Sequence, residues 1–384
     1  MKHPRPFVRA LILAGSTLLV AATLSACQGN GGSTPLASST VDAAKGKADA
    51  AAFVKDSAQP ATFLSPGDAI DVAPLAGKTI AAVTLDDSLP FVQTVLGGMK
   101  KAGEAAGLKV DIYDAQGSTD TAAKQIDQAI ASKASAIVAF GINFNLVPTA
   151  IQDAISAKVP VIGALNVDVN APLEKGASGE VSIDYYKSGE LLAAYSIANA
   201  KGAVQAAVQN LPSIETFTAM KKGIQDGFTK YCSSACSLTV DDLTQSNFKT
   251  AAETLTGSEI ARNPKLNWIF PSIDGIAQFT VPAVELSGKQ SSISVGSINA
   301  TEVNLGFIQK GRVQAVDVGN SNDWLGWAMM DRTLRALVGE KPAMREVPGK
   351  LFDAENLKGV DISSEAALFD NVDYQSQYTA LWNK

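Results

Sequence analysis

The sequence has almost no histidine: His3 is the only one among 384 residues, and it lies in a segment that we expect to be removed. Without an imidazole, the remaining chain cannot build a Ser-His or Cys-His catalytic pair or a His-containing zinc site. The motifs G-x-S-x-G and G-x-G-x-x-G are also missing. Catalysis by carboxylates alone stays open, but no paired acidic motif indicates it. We therefore predict that the chain is not an enzyme and needs no cofactor.

Positive charge is scarce as well. Lys and Arg total 32 against 38 Asp and Glu, and removal of residues 1–26 leaves 29 against 38, a net side-chain charge of −9. Nucleic-acid binding calls for clustered Lys and Arg, so we predict no nucleic-acid partner. The length exceeds that of one ordinary domain and indicates two lobes.

Long apolar runs are confined to the N-terminus, where Leu11 to Ala22 follow the basic residues Lys2, Arg5 and Arg9. This run is too short to span a bilayer comfortably but is typical of a secretory signal. It ends in LSAC, residues 24–27, which resembles a bacterial lipobox. We therefore expect a signal peptide over 1–26 and a lipid on Cys27 that anchors the protein on the extracytoplasmic side of the cell membrane. An ordinary signal peptide with a chance cysteine is the alternative.

Cysteine is rare too, and lipidation of Cys27 would leave only Cys232 and Cys236. Outside the cytosol such a pair is expected to form a disulfide. Only three residues lie between them, so the bond would act as a local clip. Two cysteines alone do not make a metal site, and we predict none.

The chain changes character near residue 78. Residues 27–77 are rich in Ala, Ser, Gly, Thr and Asp without a sustained apolar stripe, which predicts a flexible tether with a short helix near 41–55. Beyond it, apolar runs typical of buried strands alternate with amphipathic helical patterns. The strands are predicted near 79–85, 108–113, 136–140, 160–165, 203–209, 238–242, 268–271, 293–298 and 313–318.

This alternation predicts an α/β fold with two doubly wound parallel-sheet lobes joined by a hinge. We expect an N-terminal lobe of residues 78–183 plus 321–345 and a C-terminal lobe of residues 184–320 plus 346–384. Ligands of such sheets bind beyond the carboxyl ends of the strands, so the cleft between the lobes is the predicted site.

Residues 79–340 resemble the sugar-binding branch of the type I periplasmic binding proteins, the ribose- and galactose-binding family. The resemblance rests on the first unit, TIAAVTLDDSLPFVQTVLGGMKKAGEAAG, and on NWIFPSIDGIAQ, ISVGSI and GFIQKGRVQAVDVGNSNDWLGWAMMDRTL, which follow in the same order. It implies a monomeric protein that captures a sugar-like solute and delivers it to the permease of an ABC importer. A receptor of the same fold that docks on a signalling partner is the alternative.

The resemblance and the strand ends together suggest ten ligand-binding residues. They are Asp86, Asp87, Phe91, Asn143, Asn166, Asp184, Phe217, Asn299, Asn320 and Trp324. The three aspartates are equally suited to capping helices, and Trp324 is equally suited to packing in the core. For Phe91 the pocket is the favoured assignment, with core packing as the alternative.

At several positions where sugar binders of this family carry polar groups, this chain does not. Leu165, Met220, Ile273 and Ile298 stand there, and Gly141 replaces a frequent Asn. Buried hydroxyls without matching partners are costly. The sequence therefore predicts a pocket that is less polar than one built for a simple hexose.

Overall fold

The computed structural model describes residues 41–57, 59–232 and 234–383. The helices are α1 Ala43–Ser57, α2 Pro90–Ala106, α3 Thr119–Ala131, α4 Pro148–Ser156, α5 Tyr185–Asn199, α6 Glu215–Tyr231, α7 Phe248–Arg262, α8 Asp274–Leu286, α9 Glu302–Gln309, α10 Asn322–Leu337, α11 Glu365–Leu368 and α12 Tyr374–Leu381. The strands are β1 Ile70–Asp71, β2 Thr79–Thr84, β3 Lys109–Asp114, β4 Ala136–Phe140, β5 Val161–Ala164, β6 Glu180–Ser182, β7 Gln205–Asn210, β8 Ser237–Asp242, β9 Trp268–Pro271, β10 Ser294–Ile298, β11 Gln314–Asn320, β12 Met344–Glu346, β13 Gly349–Asp353 and β14 Trp382–Asn383. Within these residues, no helix is both long and apolar enough to cross a membrane.

The longer strands form two six-stranded sheets, one in each lobe. The N-terminal lobe has the order β12-β6-β5-β4-β2-β3, and all of its strand pairs are parallel. The C-terminal lobe has the order β13-β11-β10-β9-β7-β8, in which only β13 pairs in an antiparallel manner. Helices cover both faces, which explains why a central strand such as β4 is buried at every residue. The predicted two-lobe α/β fold is confirmed.

Glycines let the main helices of each lobe pack backbone against backbone. In the N-terminal lobe α2 and α10 touch at Gly98 and Gly326, where an added Cβ would overlap backbone atoms of the other helix. In the C-terminal lobe α5 and α6 do the same at Gly189 and Gly223. These close crossings fix the helix layers from which the strand ends project.

Among the links that connect the lobes within the described residues, three run through the hinge: those from β6 to α5, from β11 to α10 and from β12 to β13. The amide of Asn320 donates a hydrogen bond to the carbonyl oxygen of Val347, and the Val347 N–H donates to the carbonyl of Ser182 (3.1 Å). All three connecting segments are therefore joined side by side at the hinge.

The predicted tether over 27–77 is wrong for the part that the structure describes. Helix α1 packs on α5 and α6: Lys47 donates to the carbonyl of Ala200 (2.8 Å), and the Phe53 ring stacks on Tyr231 with centroids 6.0 Å apart. The short helix near 41–55 was thus anticipated, but its docking was not. Docking relies on Gly46 and the buried Ala50, small residues that leave no apolar stripe in the sequence.

The far C-terminus also differs from the prediction, which assigned it to the C-terminal lobe. Helix α12 packs on α10 of the N-terminal lobe, and Trp382 stacks on Trp327 with centroids 5.7 Å apart. Strand β14 pairs with β1, so residues 382–383 lie beside residues 70–71 on the N-terminal lobe. Aromatic stacking between segments more than 50 residues apart drives this placement.

We expect Gly46→Ala to lower the free energy of unfolding by about 1–3 kcal/mol, because the new methyl group would overlap the carbonyl oxygen of Tyr231. Gly257→Ala in α7 is the matched control, since nothing lies within 4 Å of its Cβ position. That control is expected to gain roughly 0.5–1 kcal/mol from helix propensity. Urea unfolding followed by circular dichroism measures both, and equal behaviour of the two variants would mean that α1 is not docked.

Cys232 and Cys236 are joined by a disulfide in the structure, with their Cα atoms 6.2 Å apart. They lie between α6 and β8. Formation of this bond after export stays a prediction. Mass spectrometry of the non-reduced peptide from exported protein should show the loss of two hydrogen atoms, whereas two alkylatable thiols would contradict it.

Candidate binding cleft

A cavity lies between the lobes, at the carboxyl ends of the parallel strands. It encloses about 750 Å³ of empty space, part of it open to solvent. We call it the main chamber, and it is lined by Thr84, Leu85, Asp86, Leu89, Pro90, Phe91, Val92, Phe140, Gly141 and Leu165 of the N-terminal lobe and by Tyr185, Ile214, Thr216, Phe217, Gln245, Ile273, Gly275, Gln278, Asn299 and Thr301 of the C-terminal lobe. Because each sheet directs its strand ends into the cleft, both lobes contribute to one site.

Two pairs of aromatic rings form opposite walls of the main chamber. Phe91 and Phe140 of the N-terminal lobe meet edge to face with centroids 6.2 Å apart. Tyr185 and Phe217 of the C-terminal lobe do the same at 6.1 Å. Such pairs prefer this geometry and present both ring faces and ring edges to a ligand.

Asp86 is the only charged residue lining the main chamber among the described residues. Its Oδ1 accepts a hydrogen bond from the Ser88 N–H (3.0 Å). From the other lobe, Lys249 Nζ lies 3.7 Å from Asp86 Oδ2 and donates to Ser88 Oγ (2.7 Å). The lobes are therefore bridged by charged and polar groups at the rim of the cleft.

A second cavity of about 500 Å³, the side chamber, adjoins the main chamber. The two share Leu85, Gly141, Leu165, Ile214 and Gln245. The remaining lining of the side chamber is more polar, and it comprises Gly117, Thr119, Ile142, Asn143, Leu146, Asn166, Ser213 and Glu215. The cleft thus combines a strongly apolar main chamber with a side chamber whose wall is also mainly apolar but carries more polar side chains.

Asn166 is held rigidly at the wall of the side chamber. Its Oδ1 accepts from the Ile142 N–H (2.8 Å), and its Nδ2 donates to Glu174 Oε2 (3.0 Å). Its backbone N–H donates to Glu180 Oε1 (2.8 Å). Burial raises the pKa of both glutamates. Asn166 therefore has a fixed amide orientation in the folded protein.

The loop after β10 forms the floor of the main chamber and is fixed from below by two buried carboxyls. Thr301 N–H donates to Asp274 Oδ2 (2.7 Å), and Ala300 N–H donates to Asp317 Oδ1 (3.0 Å). Burial raises the pKa of Asp274 and, with the charge of its neighbour, that of Asp317 further. Asn299, with φ of 114°, is held in its unusual conformation by these bonds.

Six of the ten predicted site residues are brought together by the fold. The main chamber contains Asp86, Phe91, Phe217 and Asn299, and the side chamber contains Asn143 and Asn166. Their contact with a ligand stays a prediction. Of the apolar replacements noted in the sequence, Leu165 and Ile273 line the main chamber, while Met220 and Ile298 are buried elsewhere.

The other four predicted residues lie outside both chambers, which corrects the prediction for them. Trp324 is a core residue that stacks on Tyr374 with centroids 5.0 Å apart. Asp184 caps α5 by accepting from the Lys187 N–H (2.8 Å), and Asn320 bonds across the hinge.

Asp87, the fourth, belongs to an acidic loop and not to the cleft wall. Its backbone N–H donates to Asp114 Oδ1 (3.1 Å). Partial burial and the neighbouring Asp114 raise the pKa of its own carboxyl.

Several lining residues were missed by reasoning from the sequence. Phe140 is the last residue of β4, so the strand-end rule that selected Asn299 would have found it. Gln245 and Gln278 follow β8 and β9 at some distance, and their amides look like any surface amide in the sequence. No sequence signal distinguishes them.

The family described as periplasmic binding protein domain matches residues 80–341. The chain belongs to this family. Its members are non-enzymatic solute-binding proteins of ABC transporters, so the predictions of small-solute binding, an extracytoplasmic location and a permease partner are confirmed at that level. No curated protein matches the chain in sequence.

Solved structures of other periplasmic binding proteins share the fold at low identity. The 5-methylthioribose transporter protein of Thermotoga lettingae, in complex with 5-methylthioribose, is 17% identical with a TM-score of 0.69, over 79% of this chain and 96% of that one. The periplasmic ribose ABC transporter protein of Conexibacter woesei is 21% identical with a TM-score of 0.62, over 77% and 96%. The myo-inositol binding protein of Caulobacter, bound to myo-inositol, is 18% identical with a TM-score of 0.65, over 73% and 94%.

Proposed function

We propose that this periplasmic binding protein captures a sugar-like solute with an apolar portion and delivers it to an ABC permease. The proposal rests on the walls of the main chamber, which are aromatic and aliphatic apart from a few side chains. Within the part of the chain that the structure describes, Asp86 is the only charged residue among them. An apolar surface enclosed there gains about 25 cal/mol per Å² on leaving water. A sugar ring that presents only hydroxyls to Leu165 and Ile273 loses its hydrogen bonds to water, and these two side chains cannot replace them.

Two structures of the same fold contain solutes that are relevant to this proposal. The Thermotoga lettingae protein holds 5-methylthioribose, a ribose that carries a methylthio group. An Agrobacterium vitis protein of the same fold holds allitol, a polyol. The fold therefore accommodates both a sugar with an apolar substituent and a polyol. The apolar walls of the present cleft favour a sugar with an apolar substituent.

Uptake measurements test the transport role. Deletion of the gene should abolish accumulation of a radiolabelled solute that the purified protein binds, and the wild-type gene should restore it. Unchanged uptake in the deletion strain, together with loss of a transcriptional response to the solute, would contradict transport and favour the sensing receptor.

We further propose that Cys27, which lies outside the described residues, carries a lipid. We expect that the mature protein begins at Cys27 and sediments with membranes, and that Cys27→Ala stays as precursor or is released without lipid. Normal processing and membrane retention of Cys27→Ala would reject the anchor.

The anchor would keep the lobes close to the membrane. The 15 residues between Cys27 and the start of α1 at Ala43 can span at most roughly 50 Å. Because α1 is docked on the C-terminal lobe, that lobe would carry the attachment point.

A further inference from the structure

Gln245 stands where the main and side chambers meet. It belongs to the loop after β8 in the C-terminal lobe and lines both chambers. Its Cγ lies 3.7 Å from the position that a Cβ would take at Gly117 in the N-terminal lobe. Any solute that extends from one chamber into the other must therefore pass this side chain.

The amide oxygen of Gln245 is buried and has no hydrogen-bond partner among the described residues. The buried Gln209 of the same lobe, by contrast, uses its whole amide: it donates to Thr256 and Glu259 and accepts from Thr280. A buried acceptor without a donor is costly. Its position in the cleft means that a bound solute can supply the missing donor.

The two chambers differ in what they can bind. The main chamber offers aromatic faces, whereas the side chamber offers the amides of Asn143 and Asn166, the hydroxyls of Thr119 and Ser213, and the carboxylate of Glu215. Among the described residues, no Lys or Arg lines either chamber. A carboxylate or phosphate on the solute would therefore find no cation to pair with.

Resting on the proposed function, we infer that the solute has no anionic group and consists of two parts: an apolar ring or chain in the main chamber and a hydroxyl-bearing part in the side chamber, with Gln245 Oε1 accepting a hydrogen bond where they join. Nucleosides, thio-substituted pentoses and aryl glycosides have this construction. A single sugar ring fills only one of the two compartments.

Isothermal titration calorimetry of the folded protein with whole solutes and with their halves tests this assignment. The whole solutes are adenosine, 5-methylthioribose and phenyl β-D-glucoside, and the halves are adenine, phenol, ribose and glucose. We expect at least one whole solute to bind with a Kd at least about 100-fold lower than that of every half of it that is tested. Binding of a half as tightly as of any whole solute, or binding of none of the whole solutes, would overturn the two-part assignment.

Variants of Gln245 test the role of its oxygen with the best whole solute. Gln245→Leu should raise the Kd about 10- to 100-fold while the melting temperature of the solute-free protein stays unchanged or rises, because an unpaired buried group is removed. Gln245→Glu keeps an acceptor and should retain more affinity. Gln209→Leu, the same change at a fully bonded amide, should lower the solute-free melting temperature.

Unchanged affinity in Gln245→Leu would overturn the role of Gln245. If the wild-type protein still bound the whole solutes tightly, the proposed capture function would stand despite that failure. Unchanged uptake of a bound solute in the strain that lacks the gene, by contrast, would count against the proposed function itself.

Discussion

Gly326→Ala is expected to lose about 3 kcal/mol or more of the free energy of unfolding, at the upper end of what overpacking costs. Helices α2 and α10 cross here with their backbones in contact, and a Cβ at Gly326 would overlap the carbonyl oxygen of Val95 and the backbone nitrogen of Met99. No rotamer change relieves a collision with backbone atoms, so the helices must separate. Their separation would also disturb the β4 and β5 strand ends that bear Phe140 and Leu165.

Gly97→Ala on α2 is the matched control. Nothing lies within 4 Å of its Cβ position, so the substitution should stabilise the helix by roughly 0.5–1 kcal/mol. Urea unfolding followed by tryptophan fluorescence suits the comparison, because Trp324 and Trp327 both lie on α10. If Gly326→Ala unfolded at the same urea concentration as the wild type, the close helix crossing would be refuted.

The order of strands and helices was predictable from two patterns in the sequence. Buried parallel strands appear as continuous apolar runs, and the amphipathic helices between them appear as apolar residues at helical spacing. Strands β6 and β12 are three residues each and left no such run. The hinge position of Asn320 depends on Val347, which lies 27 residues later, in the segment where the chain returns to the C-terminal lobe.

Trp324 shows why site residues are harder to predict than folds. It follows a strand end, as a ligand-contacting aromatic would, but Tyr374 and Tyr378 enclose it from segments that no local pattern connects to α10. Gln245 shows the opposite case: its importance arises from an unpaired atom at a junction between lobes, which only three-dimensional contacts disclose.

Discrimination against simple sugars is the second large effect that we expect. Leu165 and Ile273 line the main chamber at positions where polar side chains would have matched hydroxyls, and Phe140 and Tyr185 add further apolar surface. Each buried hydroxyl without a partner costs about 1–3 kcal/mol. Two or three such losses weaken binding by roughly two to six orders of magnitude. Glucose, galactose and ribose should therefore bind weakly or not at all.

A thermal-shift screen of the purified protein against sugars, polyols, nucleosides and aromatic metabolites tests the central claim most directly. A ligand that binds only the folded state raises the melting temperature in proportion to the logarithm of its concentration over its Kd. The structure predicts a clear rise with a solute that carries an apolar portion and little or none with glucose, galactose or ribose. A large rise with one of those three sugars, and none with the other classes, would contradict the account.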